Sequence, residues 1–362
     1  MKLTMNTSAL QIMVAKAMKG SSCNKMIPIT SLMAIELKDN RFTLITSDAT
    51  NYLYITEEKV DGDNFYVVVQ AEIFSKLISR LTCDKVTLEL EDDKLVVIGN
   101  GTYSIELPLD EEGELIKYPD PVSKYNFPNE PEVINLSTIK LILNTAKVSL
   151  ATTMEVPCYT GYYIGNDIIA TDTCQICGID IKLLSKPALI SAETLDLLDV
   201  MTSEKIDVYY DGEIIIFHTP NCTVYGKVMD CIDDFQTDVI KGLLDESFSS
   251  ACRVSKDAIL QLLDRLSLFV GVYDKNGIYL TFTKDGLMIE SKQANSSELI
   301  KYIDSDNFVD FTCCIDIEML RSQIKATSNE SVEIQYGLDN AIKLSDGNIT
   351  QILALSEDDR AE

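Results

Sequence analysis

Hydrophobic and polar positions along the chain follow one pattern that occurs three times. In its first copy, residues 71–109, apolar side chains recur at helical spacing up to Leu81, and apolar and polar side chains then alternate over residues 86–91. The first spacing predicts an amphipathic helix, and the alternation predicts a half-buried strand. Residues 192–229 and 317–355 repeat this order of elements. The spacing between successive copies is too long for a solenoid repeat and indicates three similar domains in series.

A second repeated pattern precedes each of these copies. Helices are predicted over residues 7–19, 136–148 and 255–266, and strand patterns follow each of them. Each unit therefore has the order β, α, several β, α, several β. Two helices with a surplus of strands predict an α+β domain.

Linkers separate the three predicted domains. Residues 117–131 are polar and rich in proline, and residues 233–250 connect the second unit to the third. We therefore predict three domains. They span residues 1–125, 126–245 and 246–362.

The chain is strongly acidic. It has 362 residues, a formal net charge of −26 and 46% hydrophobic residues, which is enough to form substantial cores. The charge favours solubility and excludes a uniformly basic nucleic-acid-binding protein. It still allows a local basic surface on an otherwise acidic molecule.

The cysteines and the N-terminus indicate the compartment. Ten cysteines are scattered through apolar runs, and Met1 leads directly into a strand pattern without a recognisable signal peptide. We therefore predict reduced core cysteines in a cytoplasmic protein. No apolar run approaches the roughly 20 residues that a membrane-spanning helix needs, so we expect no membrane partner.

Four local segments carry a resemblance to a known family. They are MIPITSLMAIEL from Met26, QAEIFSKLISRL from Gln70, TGYYIGNDIIATDTC from Thr160 and KVMDCIDDF from Lys227. Together with the threefold repeat, they resemble the bacterial sliding clamp, the β subunit of DNA polymerase III. The resemblance covers the whole chain and implies three tandem DNA-clamp domains.

The resemblance also implies a function. In that family, two chains close head to tail into a homodimeric ring around double-stranded DNA, with helices lining the hole and sheets outside. The ring tethers the replicative polymerase and so confers processivity. Short peptides of the polymerase and the clamp loader bind the ring. The family catalyses no reaction, and no cofactor or metal is expected.

A ring that slides on DNA needs basic side chains that contact phosphates without reading bases. The predicted helices and one adjoining loop supply such side chains. The predicted DNA-facing residues are Lys16, Lys19, Lys25, Lys76, Arg80, Lys140, Lys147, Lys256, Arg321 and Lys325.

The resemblance assigns two further surfaces. One is a dimer interface that joins the first domain of one copy to the third domain of the other, and the other is an apolar groove for partner peptides between the second and third domains. The interface residues are Ile105, Leu107, Leu266, Leu268 and Phe269. The groove residues are Tyr159, Thr171, Asp172, Thr173, Cys174, Gln175, Ile176, Val239, Ile352, Leu353 and Leu355.

The groove departs from the family pattern. The family commonly has Gly-His-Arg-Leu after Ala-Thr-Asp, whereas this chain has Thr173-Cys174-Gln175-Ile176. The family also commonly ends in an apolar, proline-containing tail, whereas this chain ends in charged residues. We therefore expect a groove in the same place with a different peptide specificity.

Catalytic signatures are weak. His218 is the single histidine, in a strand pattern, so a catalytic triad or a histidine-rich metal site would have to be built around it. Cys174 and Cys177 form a lone CxxC on a predicted strand, whereas a redox CxxC prefers a helix N-terminus. No phosphate-binding or dinucleotide-binding glycine motif is present.

Two alternative functions fit the same composition. One is an acidic, non-enzymatic scaffold that binds proteins and does not encircle DNA. The other is a cysteine-dependent enzyme. Basic side chains facing a hole would favour the clamp, and loss of an activity on thiol alkylation would favour the enzyme.

Overall fold

A computed structural model of the protein describes residues 1–22, 24, 26–128, 130–271, 277–292 and 295–357. The chain divides into two compact units, one of Met1–Ile139 and Glu193–Val228, the other of Lys140–Ala192 and Met229–Glu362. The predicted second domain thus contributes to both units, and the three domain boundaries stay a prediction.

The strands follow the threefold order that the sequence predicts. The first repeat contains β1 (Lys2–Asn6), β2 (Leu32–Lys38), β3 (Arg41–Ser47), β4 (Tyr52–Glu58), β5 (Phe65–Gln70), β6 (Lys85–Glu91), β7 (Lys94–Ile98) and β8 (Thr102–Glu106). The second contains β9 (Glu132–Asn135), β10 (Gly161–Ile164), β11 (Ile168–Thr171), β12 (Gln175–Ile179), β13 (Ala188–Ser191), β14 (Lys205–Tyr210), β15 (Ile214–Thr219) and β16 (Cys222–Lys227). The third contains β17 (Ser250–Ser255), β18 (Gly277–Thr283), β19 (Gly286–Ser291), β20 (Ser297–Ile300), β21 (Asp304–Asp306), β22 (Phe311–Asp316), β23 (Ser331–Tyr336), β24 (Ala341–Asp346) and β25 (Ile349–Ala354).

Each unit contains one long sheet and one four-stranded sheet. In the first unit the orders are β5-β2-β3-β4-β16-β15-β14-β9 and β1-β6-β7-β8. In the second unit they are β13-β10-β11-β12-β25-β24-β23-β17-β21 and β20-β19-β18-β22. The α+β fold is therefore confirmed, with antiparallel pairing throughout the named strand pairs.

The long sheets arise where strands of two consecutive repeats pair. In the first unit β4 pairs with β16, with Thr223 opposite Tyr54. In the second unit β12 pairs with β25, with Ile176 opposite Ile352. In both cases the fourth strand of one repeat pairs with the last strand of the next repeat.

The helices that the structure describes are α1 (Thr7–Ala17), α2 (Ala71–Ser79), α3 (Leu136–Thr145), α4 (Ala192–Asp196), α5 (Thr237–Leu244), α6 (Lys256–Leu266) and α7 (Ile317–Ala326). Five of them, α1, α2, α3, α6 and α7, begin and end close to the predicted positions. Side chains of Asn6, Ser255 and Asp316 accept hydrogen bonds from the free backbone N–H groups of α1, α6 and α7. The fourth helix is shorter than its pattern predicts, because a 3-10 turn, Leu197–Val200, follows Asp196.

Helix α5 is an element that the sequence pattern did not predict. Its residues fall in the segment 233–250, which the pattern indicates as a linker. Ile240 is its buried residue, and the helix packs against β12 and β25 of the same unit. Leu244 is half-buried and packs against the same cluster, whereas Val239 and Leu243 are exposed. The amphipathic signal of this eight-residue helix is therefore short.

The hydrophobic core of the third repeat contains the apolar residues that the helical pattern predicts to be buried. Ile259, Leu262, Leu263 and Leu266 recur at helical spacing on α6 and are all buried. They join strand residues of the same repeat in one apolar cluster. Within the described residues, no helix is long and apolar enough to cross a membrane.

Candidate functional site

The outer strands of the two four-stranded sheets differ in whether another segment pairs with them. These sheets have four outer strands, β1 and β8 in the first unit and β22 and β20 in the second. The outer side of β1 forms a bridge to Gly62, and that of β22 forms a bridge to Ser356. Within the described parts of the chain, β8 and β20 have no strand or bridge on their outer sides. Both are therefore open to backbone pairing.

Exposed apolar side chains follow the helix that packs beside β20. Arg265 on α6 donates a hydrogen bond to Glu298 on β20, with Nε 3.0 Å from Oε2. After α6 comes a 3-10 turn, Ser267–Phe269, in which Leu268 is 80% and Phe269 50% exposed. Leu266, also predicted for the interface, is buried in the core of its own repeat.

The apolar residues near the β8 edge differ in how far they are exposed. The predicted interface residues Ile105 and Leu107 are 6% and 7% exposed, so they lie mostly within their own unit. Tyr103 on β8 and Ile73 on α2 are more exposed, at 39% and 56%. Ile73 is an apolar surface residue that was missed from the sequence, because its helical spacing predicts a core position.

A recurring contact accompanies the two internal strand pairings. In the first unit Lys19, in the turn after α1, forms an ion pair with Asp199, in the turn after α4, with a distance of 2.7 Å. In the second unit Ser149, in the turn after α3, accepts a hydrogen bond of 2.7 Å from Gln323 on α7. The turn after the first helix of one repeat thus contacts the second-helix segment of the next.

The predicted DNA-facing residues all lie on helices or the turns that follow them, except Lys25, which falls outside the described residues. Those that are exposed are Lys19, Lys76, Arg80, Lys140, Lys147 and Lys325. Those that are half-buried are Lys16, Lys256 and Arg321.

Some of these cations already have acidic neighbours. Besides the Lys19 pair, Lys76 pairs with Glu72 on α2, and Arg321 lies 3.1 Å from Asp264 and also pairs with Glu318. The neighbouring carboxylates hold the pKa of Arg321 above its usual value although burial opposes this. The exposed pairs of Lys19 and Lys76 contribute little to stability, typically about 0–1 kcal/mol each, so these two cations can exchange partners.

The predicted groove residues divide between two clusters of the second unit. Tyr159, Ile176 and Ile352 pack in one apolar cluster, which we call the groove cluster. Leu353 and Leu355 contact the core of the third repeat instead, because neighbouring residues on a strand point to opposite faces. The remaining predicted residues surround the turn between β11 and β12 or lie on α5. Of these, Thr171 and Gln175 are buried, and Thr173, Cys174 and Val239 are exposed.

Aromatic residues complete the groove cluster. Phe235 stacks on Tyr163 with ring centroids 5.5 Å apart and meets Tyr159 edge to face at the same distance. Ile240 of α5 joins them. The sequence pattern did not assign Phe235, Tyr163 or Ile240 to the groove. The family-like segment KVMDCIDDF, which ends at Phe235, was the signal that could have identified the first of them.

One charged pair borders this cluster. Lys241 on α5 lies 2.5 Å from the Asp167 carboxylate and 5.9 Å from the centre of the Tyr163 ring. The hydrogen bond to Asp167 raises the pKa of Lys241. A cation therefore borders a buried apolar and aromatic cluster.

The candidate catalytic groups have ordinary structural environments. His218 is half-buried on β15, with Nδ1 2.8 Å from Thr223 Oγ1, and burial lowers its pKa. Cys177 is fully buried on β12, where burial raises the pKa of its thiol to about 12, whereas Cys174 is exposed. Every cysteine that the structure describes is a free thiol. The described residues contain no group of three or more metal-ligating side chains placed to hold an ion.

Comparisons with solved structures define the class of fold. The chain superimposes on the beta subunit of DNA polymerase from Streptococcus pyogenes with a TM-score of 0.85 and 17% identity, covering 99% of this chain and 100% of that one. For the DNA polymerase sliding clamp from Bacillus subtilis the TM-score is 0.84 at 17% identity, with 99% of each chain covered. For the beta subunit from Thermotoga maritima it is 0.81 at 18% identity, with 98% and 99% covered. The whole chain thus has the sliding-clamp fold.

The sequence itself matches a family model over its first third. Residues 1–116 match the DNA polymerase III beta subunit, N-terminal domain. A comparison with curated protein sequences gives no match. The resemblance to the bacterial beta sliding clamp is therefore confirmed over residues 1–116 by sequence and over the whole chain by fold.

Proposed function

We propose that this protein is a DNA sliding clamp, a ring of two copies that encircles double-stranded DNA and tethers a replicative polymerase. The observation that carries the proposal is the repeated strand pairing. The fourth strand of the first repeat pairs with the last strand of the second, and that of the second pairs with the last strand of the third. The remaining strands of this kind, β20 and β8, are outer strands of the four-stranded sheets and have no strand or bridge on their outer sides within the described residues.

Ring closure follows if β20 of one copy pairs with β8 of the other. This contact is heterologous, and two copies related by a twofold axis make it twice, which closes the assembly. Each closure would extend β20-β19-β18-β22 by β8-β7-β6-β1 into an eight-stranded sheet. The new sheet would have as many strands as the long sheet of the first unit.

Side chains beside the edges support the same closure. At the internal pairings, the turn after the first helix of one repeat contacts the second-helix segment of the next. The corresponding elements at the open edges are the turn Ser267–Phe269 and helix α2. Both carry exposed apolar side chains, namely Leu268, Phe269 and Ile73. Burying them together is favourable, so this contact is apolar where the internal ones are polar.

The DNA surface consists of the basic side chains on α1, α2, α3, α6 and α7 and the turns that follow them. Phosphate contacts of this kind carry no sequence information, so the ring can move along any duplex. The acidic remainder of the chain repels DNA and confines its contact to these helices. Affinity is therefore electrostatic and falls as salt rises.

The groove cluster takes short peptides of partner proteins. Its apolar and aromatic residues are almost fully buried, and the exposed side chain of Val239 lies next to buried Ile240 of the cluster. Hydrophobic peptide side chains would cover this apolar region. Partners are the polymerase and the clamp loader. The clamp itself is non-catalytic and acts in the cytoplasm.

Topological retention tests this function. The protein is loaded onto a nicked circular plasmid at low salt, passed through a sizing column at higher salt, and measured again after the plasmid is cut once. A clamp stays with the circle and leaves the linear form through its ends. Equal loss from both forms would mean that the protein does not encircle DNA and would favour the acidic scaffold.

Charge reversal on one helix and its turn tests the DNA surface. Lys140→Glu with Lys147→Glu should shorten retention and reduce the slope of log affinity against log salt by about 2. Exposed Lys182 and Lys186 lie in a loop of the same unit, and their reversal makes the same charge change as a control. Equal effects of both double variants would contradict a specific DNA surface on α3.

A further inference from the structure

The turn between β11 and β12 adopts a conformation that its own residues do not favour. Thr173 has φ of +82°, a region that β-branched residues rarely occupy. Neighbouring groups must therefore hold the turn in place. Thr173 and the adjacent Cys174 are its exposed residues, so the turn decides what the groove presents to a peptide.

Hydrogen bonds from Asp172 fix the backbone of this turn. One carboxylate oxygen, Oδ1, accepts from the backbone N–H groups of Cys174 and Gln175, each at 2.9 Å. The other, Oδ2, accepts from the Gln175 side-chain amide at 2.7 Å. The direction of the Asp172 carboxylate therefore depends on where the Gln175 amide lies.

Helix α7 holds the Gln175 amide. Gln323, which is fully buried, donates from Nε2 to Gln175 Oε1 at 2.7 Å and to Ser149 Oγ at 2.7 Å. Gln175 Nε2 also donates to the carbonyl of Val148 at 2.9 Å. A continuous relay thus runs from α7 through Gln175 and Asp172 to the backbone of the turn.

The buried amide of Gln323 is unfavourable for the stability of the folded chain. Its own Oε1 is buried and has no hydrogen-bond partner among the described residues. Leaving a buried polar atom unpaired is unfavourable. A side chain that directs two hydrogen bonds yet leaves one atom unsatisfied is better explained by positioning than by stability.

The first unit contains the same arrangement of hydrogen bonds around a turn. Its turn between β3 and β4 has Ala49 with φ of +88°. Asp48 Oδ1 accepts from the backbone of Thr50 and Asn51, and its Oδ2 accepts from the Asn51 amide. Thr194 on α4 then donates to Asn51 Oδ1 at 2.7 Å. In each unit, a helix of the following repeat therefore fixes the turn beside the strand pairing.

We propose that Gln323 is a positioning residue for the peptide groove, which sets the shape of the turn at Thr173 and Cys174 through Gln175 and Asp172. The inference rests on the proposed peptide-binding function of the groove. Because α7 also carries Arg321 and Lys325, the relay connects a helix of the proposed DNA surface to the proposed partner site.

The test uses the full-length protein with Gln323→Leu, which replaces the buried amide by an apolar side chain of similar size. Two readouts are measured. One is hydrogen exchange at the amides of Cys174 and Gln175. The other is binding of a fluorescein-labelled C-terminal peptide of the polymerase from the same genome. Loss of one hydrogen bond corresponds to about a fivefold to tenfold effect, so both amide protection and peptide affinity should fall by about that factor.

Thr194→Val is the matched control, because it removes the equivalent donor from the turn of the first unit. It should lower amide protection in the turn of the first unit and leave peptide affinity unchanged. Wild-type amide protection and affinity in Gln323→Leu would overturn the positioning role. A wild-type protein that binds no such peptide would overturn the groove itself, and hydrogen exchange would still decide whether the relay holds the turn.

Discussion

Leu266 and Leu268 lie two residues apart, yet they have opposite environments. Leu266 ends the apolar stripe of α6 and is 3% exposed, whereas Leu268 lies in the following 3-10 turn and is 80% exposed. The family resemblance assigned both to the same interface. It could not separate them, because an apolar residue at a helix end has the same signal whether it faces the core or a partner.

Leu268→Asp should convert the proposed dimer to a monomer without unfolding it. The side chain is exposed in the single chain, so the carboxylate stays hydrated there, but closure would bury it unpaired. Sedimentation velocity at low micromolar concentration measures the change. Met26→Asp, at a position that is 91% exposed in the first unit, is the control and should remain dimeric. A dimeric Leu268→Asp protein would place the interface elsewhere.

His218 should titrate below its usual range. Burial is the main cause of its lowered pKa, nearby Arg41 acts in the same direction, and Asp207 opposes them. The unfolded chain then binds a proton more readily, so stability falls as pH drops from about 6.5 toward the folded-state pKa. Since His218 is the single histidine, one imidazole resonance in an NMR titration reports its pKa directly.

A substitution of His218 provides the control for the predicted fall in stability at lower pH. His218→Gln removes the titrating group, so its melting temperature should depend less on pH than that of the wild type between about pH 6.5 and 5. A folded-state pKa at or above about 6.5, the ordinary histidine value, would contradict the effect of burial.

At the scale of elements, most of the fold follows from the sequence. Helical spacing and strand alternation predicted the order of elements in all three repeats, because each repeat buries one face of its helices and strands. The pairing of β4 with β16 and of β12 with β25 does not follow from the pattern. Which strands meet across two repeats depends on tertiary packing, which periodicity does not encode.

Two features of the candidate site, helix α5 and the hydrogen-bond relay, could not be predicted from the sequence. Eight residues with one buried side chain give too weak a periodicity to predict α5. The relay joins Asp172, Gln175 and Gln323, and Gln323 lies 148 residues from Gln175 in sequence. Hydrogen-bond partners at such separation become visible only in the folded chain.

Val239→Asp on α5 should weaken peptide binding without changing the oligomeric state. Val239 is 60% exposed beside buried Ile240, so a bound hydrophobic side chain would cover it. A buried unpaired carboxylate should lower affinity by about tenfold or more, as measured by fluorescence polarisation. Ile12→Asp on α1, also at a position 60% exposed, is the control. If both variants bind peptide as the wild type does, α5 does not line the groove.

At the scale of the whole molecule, the proposed ring depends on two open strand edges. An acidic chain of −26 charge would not be expected to bind DNA tightly by surface attraction alone. Encirclement removes that requirement, because a closed ring needs only weak, mobile phosphate contacts to remain on its template. The excess acidic charge and the basic helices are then compatible parts of one function.

The most direct test of ring closure is the solution mass of the wild-type protein, measured by light scattering during size-exclusion chromatography over a range of concentrations. Pairing of β20 with β8 between two copies predicts a single species of twice the 40.3 kDa chain mass. A mass of 40.3 kDa at every concentration would contradict closure through these edges and with it the ring.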